Sequence, residues 1–211
     1  MSSPFKQTLE SQGDFISIQH DTTTVYSTSA LYQGSLSHYT KGNYVGIMRF
    51  TNMPNCKPLA IKKISFDFTF ESSGYSKNLN FYKCSLPEGK DDTKSGENYL
   101  GDFLGTISIN QGINSTVILS KTENTNLFNK LINYLKSASK VENICLYDGE
   151  IQHIYAATKI IITIEYDEGL LYYGINNEWQ PCLVYYGVNG KWQQVIPYYG
   201  INGNWQQLGG G

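Results

Sequence analysis

A chain of 211 residues is long enough for one domain with a sizeable core and an appendage. The formal net charge is −2 and only 16% of residues are charged, with Arg49 the sole arginine. The clustered Lys and Arg that neutralise phosphates are therefore missing, which excludes a nucleic-acid binder of the usual kind.

Residues 1–30 have no basic start followed by an apolar run, so no ordinary secretory signal is expected there. No apolar run approaches the roughly 20 residues that cross a bilayer, so no membrane insertion is expected either. The first strand candidates are residues 15–19 and 44–50. In residues 64–70 apolar and polar side chains alternate with period two. Ile64, Phe66, Phe68 and Phe70 fall on one face, and Ser65, Asp67 and Thr69 are expected to face water. Residues 79–84, 106–109, 115–119 and 143–147 read as further strands between Gly, Asn, Ser and Pro clusters. Ile160, Ile162, Ile164 and Tyr166 repeat the alternation, with Ile161, Thr163 and Glu165 opposite.

One segment has another period. Leu127, Phe128, Leu131, Ile132 and Leu135 recur at three- and four-residue spacing, which predicts one amphipathic helix over Thr125–Ser137 covering a sandwich edge or end. Thr122 or Asn124 is placed to cap it. Many short strands with one apolar face bury best as two packed sheets. The body, residues 1–168, is thus expected to be an all-β, jelly-roll-like β-sandwich with one short helix.

Several segments occur in a familiar order: Asp21-Thr22-Thr23-Thr24-Val25-Tyr26, then Gly34-Ser35-Leu36-Ser37, then Val45-Gly46-Ile47-Met48-Arg49-Phe50. The Met53-Pro54 turn, the alternating strand from Leu59, and Tyr147 and Ile154-Tyr155 ahead of a closing strand follow. Over roughly residues 14–167 the body resembles the disaggregatase-related modules (the DNRLRE type), jelly-roll sandwiches of bacterial, archaeal and phage surface proteins. The family's tryptophan-containing middle segment has no counterpart here, since all three tryptophans lie after residue 168. The resemblance implies a fold, and a fold does not fix a function.

Residues 169–211 repeat with a period of 13. The copies place Tyr172, Tyr173 and Trp179, then Tyr185, Tyr186 and Trp192, then Tyr198, Tyr199 and Trp205 at equivalent positions. Asn189-Gly190 and Asn202-Gly203 are two-residue type I′ turn sequences, and Asn176-Asn177 is a variant, so three β-hairpins in series are expected. Such a turn fixes the register: Val188 faces Lys191, Gly187 faces Trp192 and Tyr186 faces Gln193. Each indole then lies over a bare glycine, and rings occupy both faces of each ribbon. These nine residues are the candidate binding residues. An isolated hairpin is marginal in water, so the body, copies of the chain or a ligand must cover them. Short C-terminal repeats of this YxxNGxW form resemble the terminal tails of structural proteins from phages and phage tail-like particles of low-GC Gram-positive bacteria. Choline-binding repeats look similar, but those are longer and open with Gly-Trp.

No catalytic constellation stands out. His20, His38 and His153 are isolated, and GxSxG, HExxH and phosphate-loop motifs are absent. Asp91-Asp92-Thr93-Lys94-Ser95-Gly96-Glu97 lacks the alternating ligands of an EF-hand and reads as a solvated loop. Cys56, Cys84, Cys145 and Cys182 form no CxxC pair and are expected as free thiols. No metal or cofactor is called for. Together with these absences, the resemblance of the tail repeats implies a non-enzymatic structural or adhesion component of a phage or phage-like particle: a fibre, receptor-binding or decoration protein. Its expected partners are other virion subunits, copies of itself (a trimer among the candidates) and a cell-surface polysaccharide, and its expected place is the virion. The alternative is a secreted or cell-wall carbohydrate-binding module.

Overall fold

The computed structural model describes residues 6–35, 43–57, 59–71, 77–85, 94–110, 112–137, 141–148, 155–168, 171–175, 178–182, 184–195, 198–201 and 204–207. The body contains strands β1 (Lys6–Gln12), β2 (Asp14–Gln19), β3 (Val25–Ser27), β4 (Leu31–Ser35), β5 (Asn43–Arg49), β6 (Leu59–Phe70), β7 (Lys77–Cys84), β8 (Leu100–Ile109) and β9 (Asn114–Ser120). Helix α1 (Thr125–Ser137) and strands β10 (Asn143–Tyr147) and β11 (Tyr155–Glu168) complete it. The fold is an all-β sandwich with one short helix, as the alternation predicts.

Every strand pair is antiparallel. The first sheet runs β9-β6-β11, with β1 and β4 in succession along the far side of β11. The second runs β8-β7-β10-β5-β2-β3. Gly34 and Ser35 of β4 also pair with β5, so the two sheets join through β4. The chain changes sheet at Gly13, between β1 and β2. There the backbone passes so close to Phe50 that a Cβ would stand 3.0 Å from its ring, and the Gly13 N–H donates to the Ile160 carbonyl at 2.9 Å. A larger residue there would have to push the Phe50 ring aside by a few tenths of an ångström.

Between the sheets lies the main core. Ile64, Phe66, Phe68 and Phe70 of β6 are buried against Ile160, Ile162 and Ile164 of β11, Phe81 of β7 and Met48 of β5. Each such side chain contributes about 1.5–3 kcal/mol on burial. Asp67 and Thr69 are half-buried on the other face, but Ser65, expected to face water, is only 8% exposed. Its short side chain stands between the larger Thr163 and Ile118 of the flanking strands.

Strands β8 and β9 are the sheet edges on one side of the sandwich, each paired along one flank only among the described residues. Helix α1 packs against both. Leu127, Phe128, Leu131 and Leu135 are buried there, while Ile132 is half-buried and Tyr134 takes a buried place. The Tyr134 hydroxyl accepts from the Cys84 N–H at 3.0 Å and donates to the Asn143 carbonyl at 2.9 Å. It thereby ties the end of β7 to the start of β10. Asn124 occupies the capping position, its carbonyl accepting from the Phe128 N–H at 2.9 Å. Its side-chain amide donates instead to the Ile118 carbonyl at 2.8 Å, with the backbone at φ 50°.

A second, smaller cluster covers the outer face of the second sheet: Ile16 and Ile18 of β2, Val45 and Ile47 of β5, Cys84, Cys145 and Tyr99. Its lid is a 3₁₀ turn, Gly96–Tyr99, whose Gly96 and Glu97 N–H groups donate to the Thr22 and His20 carbonyls. Within the loop expected to be solvated over residues 91–97, Lys94 and Glu97 are exposed but Gly96 is buried; residues 91–93 lie outside the described residues. Among the described residues no helix is long and apolar enough to cross a membrane.

Tyr134→Phe leaves a buried donor and acceptor unpaired and lowers stability by about 1–3 kcal/mol, whereas Leu131→Ala costs about 2–5 kcal/mol, both read from urea unfolding. Burial pushes the Cys56 thiol from its ordinary 9.0 up to about 11. Its contribution is fully present below about pH 9 and is lost as pH rises through about 11, because the unfolded thiol ionises first. Stability should fall across that window, and Cys56→Ala should flatten part of the fall.

Candidate binding surface

The tail contains β12 (Leu171–Ile175) paired with β13 (Glu178–Cys182), β14 (Val184–Val188) with β15 (Lys191–Val195), and β16 (Tyr198–Ile201) with β17 (Asn204–Gln207). Each pair is a separate two-stranded antiparallel sheet. Among the described residues no ladder joins one ribbon to the next or to the body.

The register is the one that a two-residue turn dictates. Val188 stands across from Lys191, Gly187 from Trp192, and Tyr186 from Gln193. The other ribbons repeat it, with Gly174 across from Trp179 and Gly200 across from Trp205. Tyr173 and Tyr199 stand across from Gln180 and Gln206. The preceding tyrosines pair less uniformly: Tyr172 with Pro181, Tyr185 with Gln194 and Tyr198 with Gln207. All nine predicted ring positions thus occupy strand positions at matching register. Their side chains, and with them the expected two-faced arrangement of rings, lie outside the described residues.

The middle turn carries its signature in the backbone. Asn189 has φ 50° and Gly190 φ 75°, both positive as a type I′ turn requires. A Cβ on Gly190 would meet nothing within 4 Å, so conformation rather than space selects glycine there. The turns of the first and third ribbons lie outside the described residues.

On the body, a groove that the sequence reading missed runs between α1 and β8. Its two adjoining parts have volumes of about 450 and 300 Å³. Phe103 is 47% exposed there, leaning on Tyr82 at 5.2 Å between ring centroids. The Lys130 ammonium sits 5.7 Å from the Phe103 ring centre, and Lys83 pairs with Asp102 at 3.0 Å. Among the described residues that line the two parts, Asp102 is the only carboxylate. Of the three histidines, His20 stacks on Tyr147 at 4.9 Å, and His38 and His153 lie outside the described residues.

No protein-family model and no curated protein matches this chain.

The middle ribbon offers a direct check. Gly190→Ala forces an L side chain into the left-handed region at a cost of about 1–2 kcal/mol. Amide exchange at Val188 and Lys191 should quicken by roughly 5–30-fold. An unchanged rate would mean that the turn is not of type I′.

Proposed function

We propose that this chain is a structural or adhesion component of a phage or phage-like particle, in which the tail ribbons make the contact with neighbouring subunits or a cell-surface glycan. One observation carries this reading: three ribbons repeat one register, each setting a tryptophan position across from a glycine, and among the described residues no ladder ties them to one another or to the body. Two strands alone are marginal in water, because a ribbon has two faces and no layer to cover either. Threefold repetition multiplies whatever single contact one ribbon makes. Even weak individual contacts then add into firm attachment when the units engage together.

The chemistry of the repeat suits both kinds of partner. Tyr and Trp rings stack on the apolar faces of sugars and pack equally well against other rings. Gln180, Gln193 and Gln206 recur beside them and bring amide donors and acceptors to each unit. A low overall charge fits recognition by shape and stacking rather than by ion pairing.

Removal of residues 170–211 tests the proposal. The full chain should associate in light scattering, or be retained on purified Gram-positive cell-wall polysaccharide, and the truncated chain should do neither while unfolding with the cooperativity of the intact body. A truncated chain that associates and adheres like the full one would overturn it.

A further inference from the structure

Two cysteines separated by 61 positions in sequence meet on the outer face of the second sheet. Cys84 ends β7, and Cys145 lies in the adjacent antiparallel strand β10, directly across from Tyr82. Side chains two apart on a strand share a face, so Cys84 is the diagonal neighbour of Cys145. Their Sγ atoms are 2.7 Å apart. That is well inside the roughly 3.5–4.0 Å spacing of ordinary non-bonded contacts.

The surroundings restrict what the pair can do. Cys84 is 6% exposed and Cys145 is fully buried, among Ile16, Ile18, Val45, Ile47 and Tyr99. The Cys145 thiol donates to the Tyr99 carbonyl at 3.5 Å. An apolar pocket of this kind disfavours thiolates, so it suits neither a nucleophile nor a metal ligand, both of which act as the anion. Pairing with each other needs no lasting charge. Cys56, the remaining described thiol, belongs to the main core and donates to the Pro54 carbonyl.

We propose that Cys84 and Cys145 are a modification site, closing to a disulfide that staples β7 to β10 in oxidising surroundings. The step is a thiol–disulfide exchange with a small disulfide of the glutathione class. Both S–H bonds break and one S–S bond forms between the strands. The two electrons and two protons pass to the reagent, whose own S–S bond opens into two thiols. The staple closes a loop that contains β8, β9 and α1, so it fastens at its base the whole excursion that seals the sandwich edge. A reducing cytoplasm keeps the pair open, and release from it lets the bond form. Burial beneath the 3₁₀ turn makes closure dependent on brief opening of that lid.

The test uses the full chain, incubated with either glutathione disulfide or reduced glutathione, then denatured in excess iodoacetamide and weighed. Of the four cysteines, two should take up label after oxidation and all four after reduction. Proteolytic mapping should recover one cross-linked pair, Cys84 with Cys145. The oxidised chain should melt about 5–15 °C higher than the reduced one, and Cys84→Ala should abolish the difference. If that variant does not fold, the wild-type mass and peptide map decide alone. Four labelled cysteines after oxidation, or a cross-link joining any other pair, would overturn the proposal.

Discussion

A β-sheet buries apolar side chains only when something lies against the face that carries them, and the architecture of this protein follows from that constraint. The first sheet has its inner face covered by the second. The second sheet is covered twice, by the first sheet inside and by Tyr99 and the 3₁₀ turn outside, which is why β2, β5 and β10 carry apolar residues on both faces. Where the two sheets would leave an open side at β8 and β9, α1 lies across it. Each layer is therefore explained by the surface beneath it. The tail ribbons are the place where the same constraint is handed to a partner, on the function proposed here.

Body and tail satisfy different rules. In the body, much of the pairing is long-range: β11 alone is flanked by β1, β4 and β6, drawn from the start and the middle of the chain. In the tail, each ribbon is local, its two strands joined through a turn whose residues sit between them. Local units of this kind form quickly and independently, and they can be repeated without disturbing the sandwich. Duplication or deletion of 13 residues would add or remove one such ribbon.

What the sequence revealed was whatever depends on near neighbours. The helix was legible at its observed bounds because Leu127, Phe128, Leu131 and Leu135 mark one stripe. The tail register was legible because Asn189-Gly190 admits one turn geometry. Strand β1 was not, since Leu9 is the single apolar residue in Lys6–Gln12, and the strand is held by its ladder to β11 rather than by a hydrophobic face. The short strands β3 and β4 escaped for a related reason, being placed by the strands they join. The groove could not be read because Lys83, Phe103, Lys130 and Asn133 come from three elements. Neither could the meeting of Cys84 with Cys145, which only the pairing of β7 with β10 creates.

The central claim is that the ring-bearing ribbons are shielded by a partner, and the chain carries its own reporter. Trp179, Trp192 and Trp205 are its only tryptophans and all belong to the tail, so intrinsic indole emission observes that region alone. Acrylamide quenching followed across a wide range of protein concentration, with and without cell-wall polysaccharide, therefore measures the shielding directly. The account predicts indoles that are quenched freely at high dilution and become protected, with blue-shifted emission, on self-association or on glycan addition. Indoles open to quencher under every condition, or equally protected at all dilutions without a partner, would contradict it.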